Sequence, residues 1–248
     1  MATIVKKKPG QTDDQLIAQF KKKVLYEEIV EEAKILALKE RIDLHTLNEE
    51  LLRQFLVDHG LGIECSGFVY HILDAELRAR GLGALKSHLK FPETHSPWRK
   101  LVARLRPVEN TNVRVLADEA NSVPVSLSDV QSGDIIIFLN AGAKHDRDHV
   151  LLVEKAQYNT STQQHVNTVR NSLFLIPNSL TYIHSFQWRT DGKYHHGVRR
   201  GQIEIVDESK PLIEQRWIEN GMGGDENETL GHAKTAESVR IRRLKILQ

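Results

Sequence analysis

Two runs, Ile135-Ile136-Ile137-Phe138 and Val150-Leu151-Leu152-Val153, constrain most strongly what this chain can fold into. Each is a short β-branched or apolar stretch between turn residues, the mark of a strand. The chain before Pro124 has a different period. Leu16, Phe20 and Val24 recur at four-residue steps, and Ile29, Ala33 and Leu36 extend the apolar stripe among Glu and Lys, which predicts helix. Thr12 to Gln15 and Thr46 to Glu49 have capping-box form, so two helices are expected, the second from Leu47 to about Asp58 and stopped at Gly60. A third is expected from Cys65 to Ala79, ended by Gly81 and buried along Phe68, Val69, Ile72 and Leu77, and a fourth from Trp98 to Leu105, opened by Pro97. Further strands are expected at His165 to Arg170, Leu180 to Ile183, Gly201 to Val206 and Val239 to Leu247. Helices first and an antiparallel sheet later predict an α+β fold.

A chain of 248 residues can bury one good core and carry a second small module. The expected division is an N-terminal helical segment over 1–60 and a larger domain over 61–248. Lys and Arg (34) balance Asp and Glu (33), so no global field favours nucleic acid or a membrane surface, and a partner must be recognised locally. No signal-peptide-like run and no stretch of about 18 apolar residues occurs, so no membrane segment is expected and a cytoplasmic location is, with non-classical export left open. Oligomeric state is not encoded in any pattern found.

The single cysteine, Cys65, has no partner within the chain for a disulfide and is available as a reactive thiol. It stands at the predicted start of a helix, in Gly62-Ile63-Glu64-Cys65-Ser66-Gly67-Phe68-Val69. Unpaired amides and the helix dipole there favour thiolate, and the Cys65 amide can serve an oxyanion. Ser132-Gly133-Asp134 is a turn into the first strand run, and Asp148-His149 heads the second. A neutral imidazole at that strand head could take the thiol proton. Read singly, Cys65 is a small core residue and His149 a strand-end histidine more often than either is catalytic.

Taken in order, Glu64-Cys65-Ser66-Gly67-Phe68-Val69, Gly133-Asp134-Ile135-Ile136-Ile137-Phe138 and His149-Val150 resemble the NlpC-type papain-like cysteine peptidases of bacterial cell walls, over roughly Gly62 to Ile205. The resemblance implies a papain-like core with a nucleophile helix packed on an antiparallel sheet, Cys65 as nucleophile, His149 as base, and a third polar residue that orients the base. His184, closing the apolar strand Thr181-Tyr182-Ile183, is the choice for that orienter, and Asn171 is its rival. The implied reaction is hydrolysis of an amide or isopeptide bond through an acyl-enzyme, in peptidoglycan-type or muropeptide-like peptides. It needs no cofactor. The alternatives are an acyltransferase using the same triad and a catalytically silent scaffold or binding module.

Other groupings have plainer readings. His145-Asp146-Arg147-Asp148-His149 and His195-His196 satisfy no zinc spacing, so no metal is expected. Lys6 to Lys8 and Arg240, Arg242, Arg243 and Lys245 could touch phosphates but are expected on solvated faces, the last set on an edge strand protected by charge. Tyr194 to Arg199 could line the cleft.

Overall fold

The computed structural model describes residues 31, 33–59, 64–92, 107–158, 178–193 and 197–248. The expected helices before residue 31 and at Trp98 to Leu105, the strand at His165 to Arg170, Asn171 and the cap at Gly60 lie outside them. The fold mixes helices with one antiparallel sheet. Two compact units are present, one formed by 1–111 with 187–197 and the other by 112–186 with 198–248. The boundary expected at residue 60 falls inside the first.

The first unit is helical where described. Helix α1 (33–40) ends with Arg41 in the left-handed region (φ 60°) and Ile42 N–H bonded back to Ala37 O at 2.8 Å. Helix α2 (Glu49–Asp58) buries Phe55 against Ala33 and Ala37. Its cap differs from the expected one. Asn48 accepts from Leu51 N–H at 2.9 Å, while the Thr46 hydroxyl donates to Asp43 O within a preceding 3-10 turn. Asn outranks Thr as a cap, and the helix begins two residues later than predicted. Helix α3 (Cys65–Ala79) has the predicted bounds and buries Phe68, Val69, Ile72, Leu73 and Leu77. Gly81 (φ 74°) closes it, with Leu82 N–H bonded to Leu77 O at 2.9 Å. The positive φ is a conformation that glycine adopts without strain. Helix α4 (Pro107–Asn110) is the last α-helix among the described residues of this unit.

The second unit is built on an eight-stranded sheet of spatial order β1-β8-β2-β3-β4-β5-β6-β7. Its strands are β1 (Ser122–Pro124), β2 (Ile135–Ala141), β3 (Arg147–Gln157), β4 (Ser179–Phe186), β5 (Gly197–Glu204), β6 (Arg216–Glu219), β7 (Met222–Gly223) and β8 (Ser238–Leu244). Helix α5 (Val113–Ala117) packs on β2 and β3, and helix α6 (Glu228–Lys234) packs on β2. Ile136, Phe138, Leu151, Val153, Tyr182, Ile203 and Trp217 form one core with Leu230 and Ala233 of α6. These strand residues alternate, as one face of a pleated sheet requires. Strands β1, β6 and β7 were not among those predicted.

The arginine-rich C-terminal strand is a correction. Strand β8 is not an edge: it pairs with β1 on one side and β2 on the other, with Ile135 opposite Arg242 and Ile137 opposite Arg240. Arg242 is buried and donates to the Ser122 hydroxyl at 2.7 Å and Ser122 O at 2.8 Å. Arg243 forms a two-pronged pair with buried Asp134, Nε to Oδ1 at 2.7 Å and Nη2 to Oδ2 at 2.8 Å. Asp134 also accepts from Gln131 N–H at 2.8 Å. The Gly133-Asp134 turn is thereby fixed, with Gly133 (φ 94°) donating to Val153 O and Val153 N–H returning to Asp134 O. Arg242 and Arg243 are therefore occupied within the sheet rather than solvated. Among the described residues no helix is long and apolar enough to cross a membrane.

Candidate functional site

His149 sits in β3 opposite Phe138 of β2, just before a register irregularity between Phe138 and Ala141. A bulge beside a strand-borne side chain re-aims it, and this one is pinned from outside. Arg114 donates to both carboxylate oxygens of Asp148, at 2.7 and 3.2 Å, and to Asn140 Oδ1 at 2.5 Å. Asn140, with φ 52°, also donates its N–H to Asp148 Oδ1 at 3.0 Å. The residue preceding His149 is thus clamped to the bulge. That explains the polar cluster at 145–148 as local structure, and among the described residues no His, Cys, Asp or Glu side chains form a group of three or more that could hold a metal ion.

His149 and His184 are brought into direct contact: His149 Nε2 lies 2.8 Å from His184 Nδ1. Both side chains are buried. His184 Nε2 in turn lies 3.2 Å from Glu219 Oε2, and the Tyr182 hydroxyl donates to that same oxygen at 2.7 Å. Glu219 is itself buried, at the end of β6, with its other oxygen 4.0 Å from Arg199 Nη1. A line of polar groups therefore runs through the sheet from β3 through β4 to β6. Aromatic rings enclose it. Phe186 stacks on His184 at 5.6 Å between centroids and lies 5.0 Å from His149, while Phe138 and His232 of α6 lie 5.9 Å from His149.

The electrostatics follow from this enclosure. Burial, followed by the neighbouring His184 and His232, holds the His149 imidazole well below its ordinary pKa, so it is neutral near neutral pH. His232 is lowered too, by burial and then by Arg147 and His184. Burial alone would raise the Glu219 carboxyl, but hydrogen bonds from His184, Tyr182 and Thr229 outweigh it and leave the group below the usual carboxylate range. The Tyr182 hydroxyl is pushed far up, first by burial and then by the Glu219 charge, and stays protonated.

Cys65 opens α3 in the first unit, half-buried, after Glu64, whose carbonyl accepts from Phe68 N–H at 2.8 Å. Asn171, Tyr194, His195 and His196 lie outside the described residues. Glu219, Tyr182, Phe186 and His232 did not emerge from the sequence. One signal for Glu219 was present: it shares the strand period with Trp217 and precedes the Asn220-Gly221 turn, so a carboxylate stands on the face that buries a tryptophan. Comparison with models of protein families, with curated proteins and with solved structures finds no match for the chain.

Proposed function

We propose that this protein is a papain-like cysteine hydrolase of NlpC type that cleaves an amide or isopeptide bond. Cys65 attacks the carbonyl carbon, and His149 takes the thiol proton and returns it to the leaving amine. His184 holds the imidazole of His149, and water then releases the acyl group from sulfur. The observation that carries this reading is the state of His149, a buried imidazole kept neutral and hydrogen-bonded through one ring nitrogen to His184 at 2.8 Å. A general base must be unprotonated and oriented, and the hydrogen bond to His184 supplies the orientation that a surface histidine lacks. Cys65 at the start of a 15-residue helix adds a thiol in a setting that favours thiolate. The order of the Cys-Ser-Gly, Gly-Asp and strand-leading His segments extends the proposal to short peptides with D-amino acid or isopeptide linkages.

The test is labelling with an acyl-electrophile probe. We expect wild-type protein to be modified at Cys65, Cys65→Ala to be silent, and His149→Ala to react slowly. Labelling whose rate rises only near the free-thiol value of about 8.5 and is indifferent to His149→Ala would sink the proposal in favour of a scaffold.

A further inference from the structure

We infer that Glu219 is a positioning residue that fixes which nitrogen of His149 carries the lone pair. The carboxylate has no proton to give, so any hydrogen bond between Glu219 Oε2 and His184 Nε2, 3.2 Å apart, must be donated by His184. We take His184 as the neutral tautomer with its proton on Nε2, whose Nδ1 has only a lone pair. The 2.8 Å contact with His149 Nε2 must then be donated by His149. The proton of His149 is consigned to Nε2, and Nδ1 is left as its accepting atom. One acidic oxygen, three strands away, thus decides the tautomer of the base.

Three features show a carboxylate held in place rather than one incidentally enclosed. A buried carboxylate is costly unless its lone pairs are satisfied, and Tyr182 donates to the same Oε2 at 2.7 Å. That hydroxyl reaches Glu219 because Gly201, paired with Glu219 across β5 and β6, has no side chain: a Cβ there would collide with the ring and hydroxyl of Tyr182. The charge is also faced by Arg199, at 4.0 Å, and by Thr229 of α6. Among the described residues His184, His232 and the rings of Phe138 and Phe186 face His149, and none of these four is an acid that could fix the tautomer in Glu219's stead.

The inference deepens the proposed reaction, but its first measurement needs no substrate. Nitrogen-15 NMR of the imidazoles in the full chain should show His149 and His184 both protonated at Nε2 and bare at Nδ1. A proton on Nδ1 of His149 overturns the inference. In Glu219→Gln the amide oxygen can still accept, so the tautomers should persist. The imidazolium loses its counter-charge, so the acid limb of Cys65 labelling should move to lower pH; an unmoved limb would reduce Glu219 to a structural role. In Glu219→Leu the lock is gone, and we expect mixed tautomers with labelling down on the order of 10²- to 10⁴-fold. A single unchanged tautomer there overturns the inference, and if that variant does not fold, the wild-type spectrum and the Gln variant decide. Tautomers as expected with no dependence of Cys65 on His149 would leave Glu219's role intact and refute the hydrolase instead.

Discussion

His149 and His184 share a single hydrogen bond of 2.8 Å inside the sheet, between Nε2 of one and Nδ1 of the other. Two imidazoles so close cannot both be charged without strong repulsion, and burial together with the neighbouring His184 and His232 drives His149 neutral.

The first prediction concerns pH. His149 has a folded pKa below its unfolded value of about 6.5, so the unfolded chain binds more protons between those two values. Its contribution to stability is full above about pH 6.5 and is lost as pH falls towards the folded pKa. His232 acts in the same direction, whereas His59, raised by the hydrogen bonds it donates to the Glu40 carboxylate and the Phe55 carbonyl, acts in the opposite one. The urea midpoint should therefore fall between pH 7 and pH 5 by less in His149→Gln than in wild type. Cys65 labelling should persist at pH 6, since its base is still neutral there.

The second concerns the orienter. His184→Ala leaves His149 Nε2 without its partner and should lower Cys65-dependent turnover by about 10- to 100-fold, with Asn171→Ala close to wild type. Measuring both variants side by side decides it, because damage confined to Asn171→Ala would transfer the role to that residue.

The third concerns the Gly133-Asp134 turn. Asp134→Ala would strand the Arg243 fork and the Gln131 amide, and should cost about 2–4 kcal/mol of stability. Urea unfolding measures it. A loss below 0.5 kcal/mol on the order of a surface substitution would mean that the turn holds without its carboxylate.

The fourth concerns substrate class. Incubation with small muropeptide-like fragments and with unstructured L-peptides, followed by mass spectrometry, should give products from the former alone, and Cys65→Ala should abolish them. Cleavage confined to L-peptides would keep the thiol chemistry and discard the isopeptide preference. Transfer of the acyl group to an added amine, in place of water, would assign the acyltransferase reading.

Local signals made part of this architecture legible and part of it not. Helix α3 was readable to the residue because its last buried side chain, Leu77, is followed closely by Gly81, whose backbone ends a helix without strain. Strands β2 and β3 were readable because runs such as Ile135 to Phe138 have few other solutions. His184 stood out because it closes the apolar strand Thr181 to Ile183, where the resemblance calls for a polar orienter. Glu219 could not be placed as readily, since a glutamate is ordinarily a surface residue and its partners come from β4. The same limit misled the reading of β8. Alternating arginines look alike whether they face water or a buried acid, and the partner of Arg243 is 109 residues away in sequence.

The position of β8 between β1 and β2 has a consequence for biosynthesis. On the ribosome, β2 can pair with β3 soon after both emerge, but its other edge stays open until Val239 to Arg242 have been made and have left the tunnel. During that interval Ile135, Ile136 and Ile137 present an unpaired apolar edge, the kind of surface that other chains recruit. A chain terminated before residue 238 is therefore expected to keep that β2 edge unpaired.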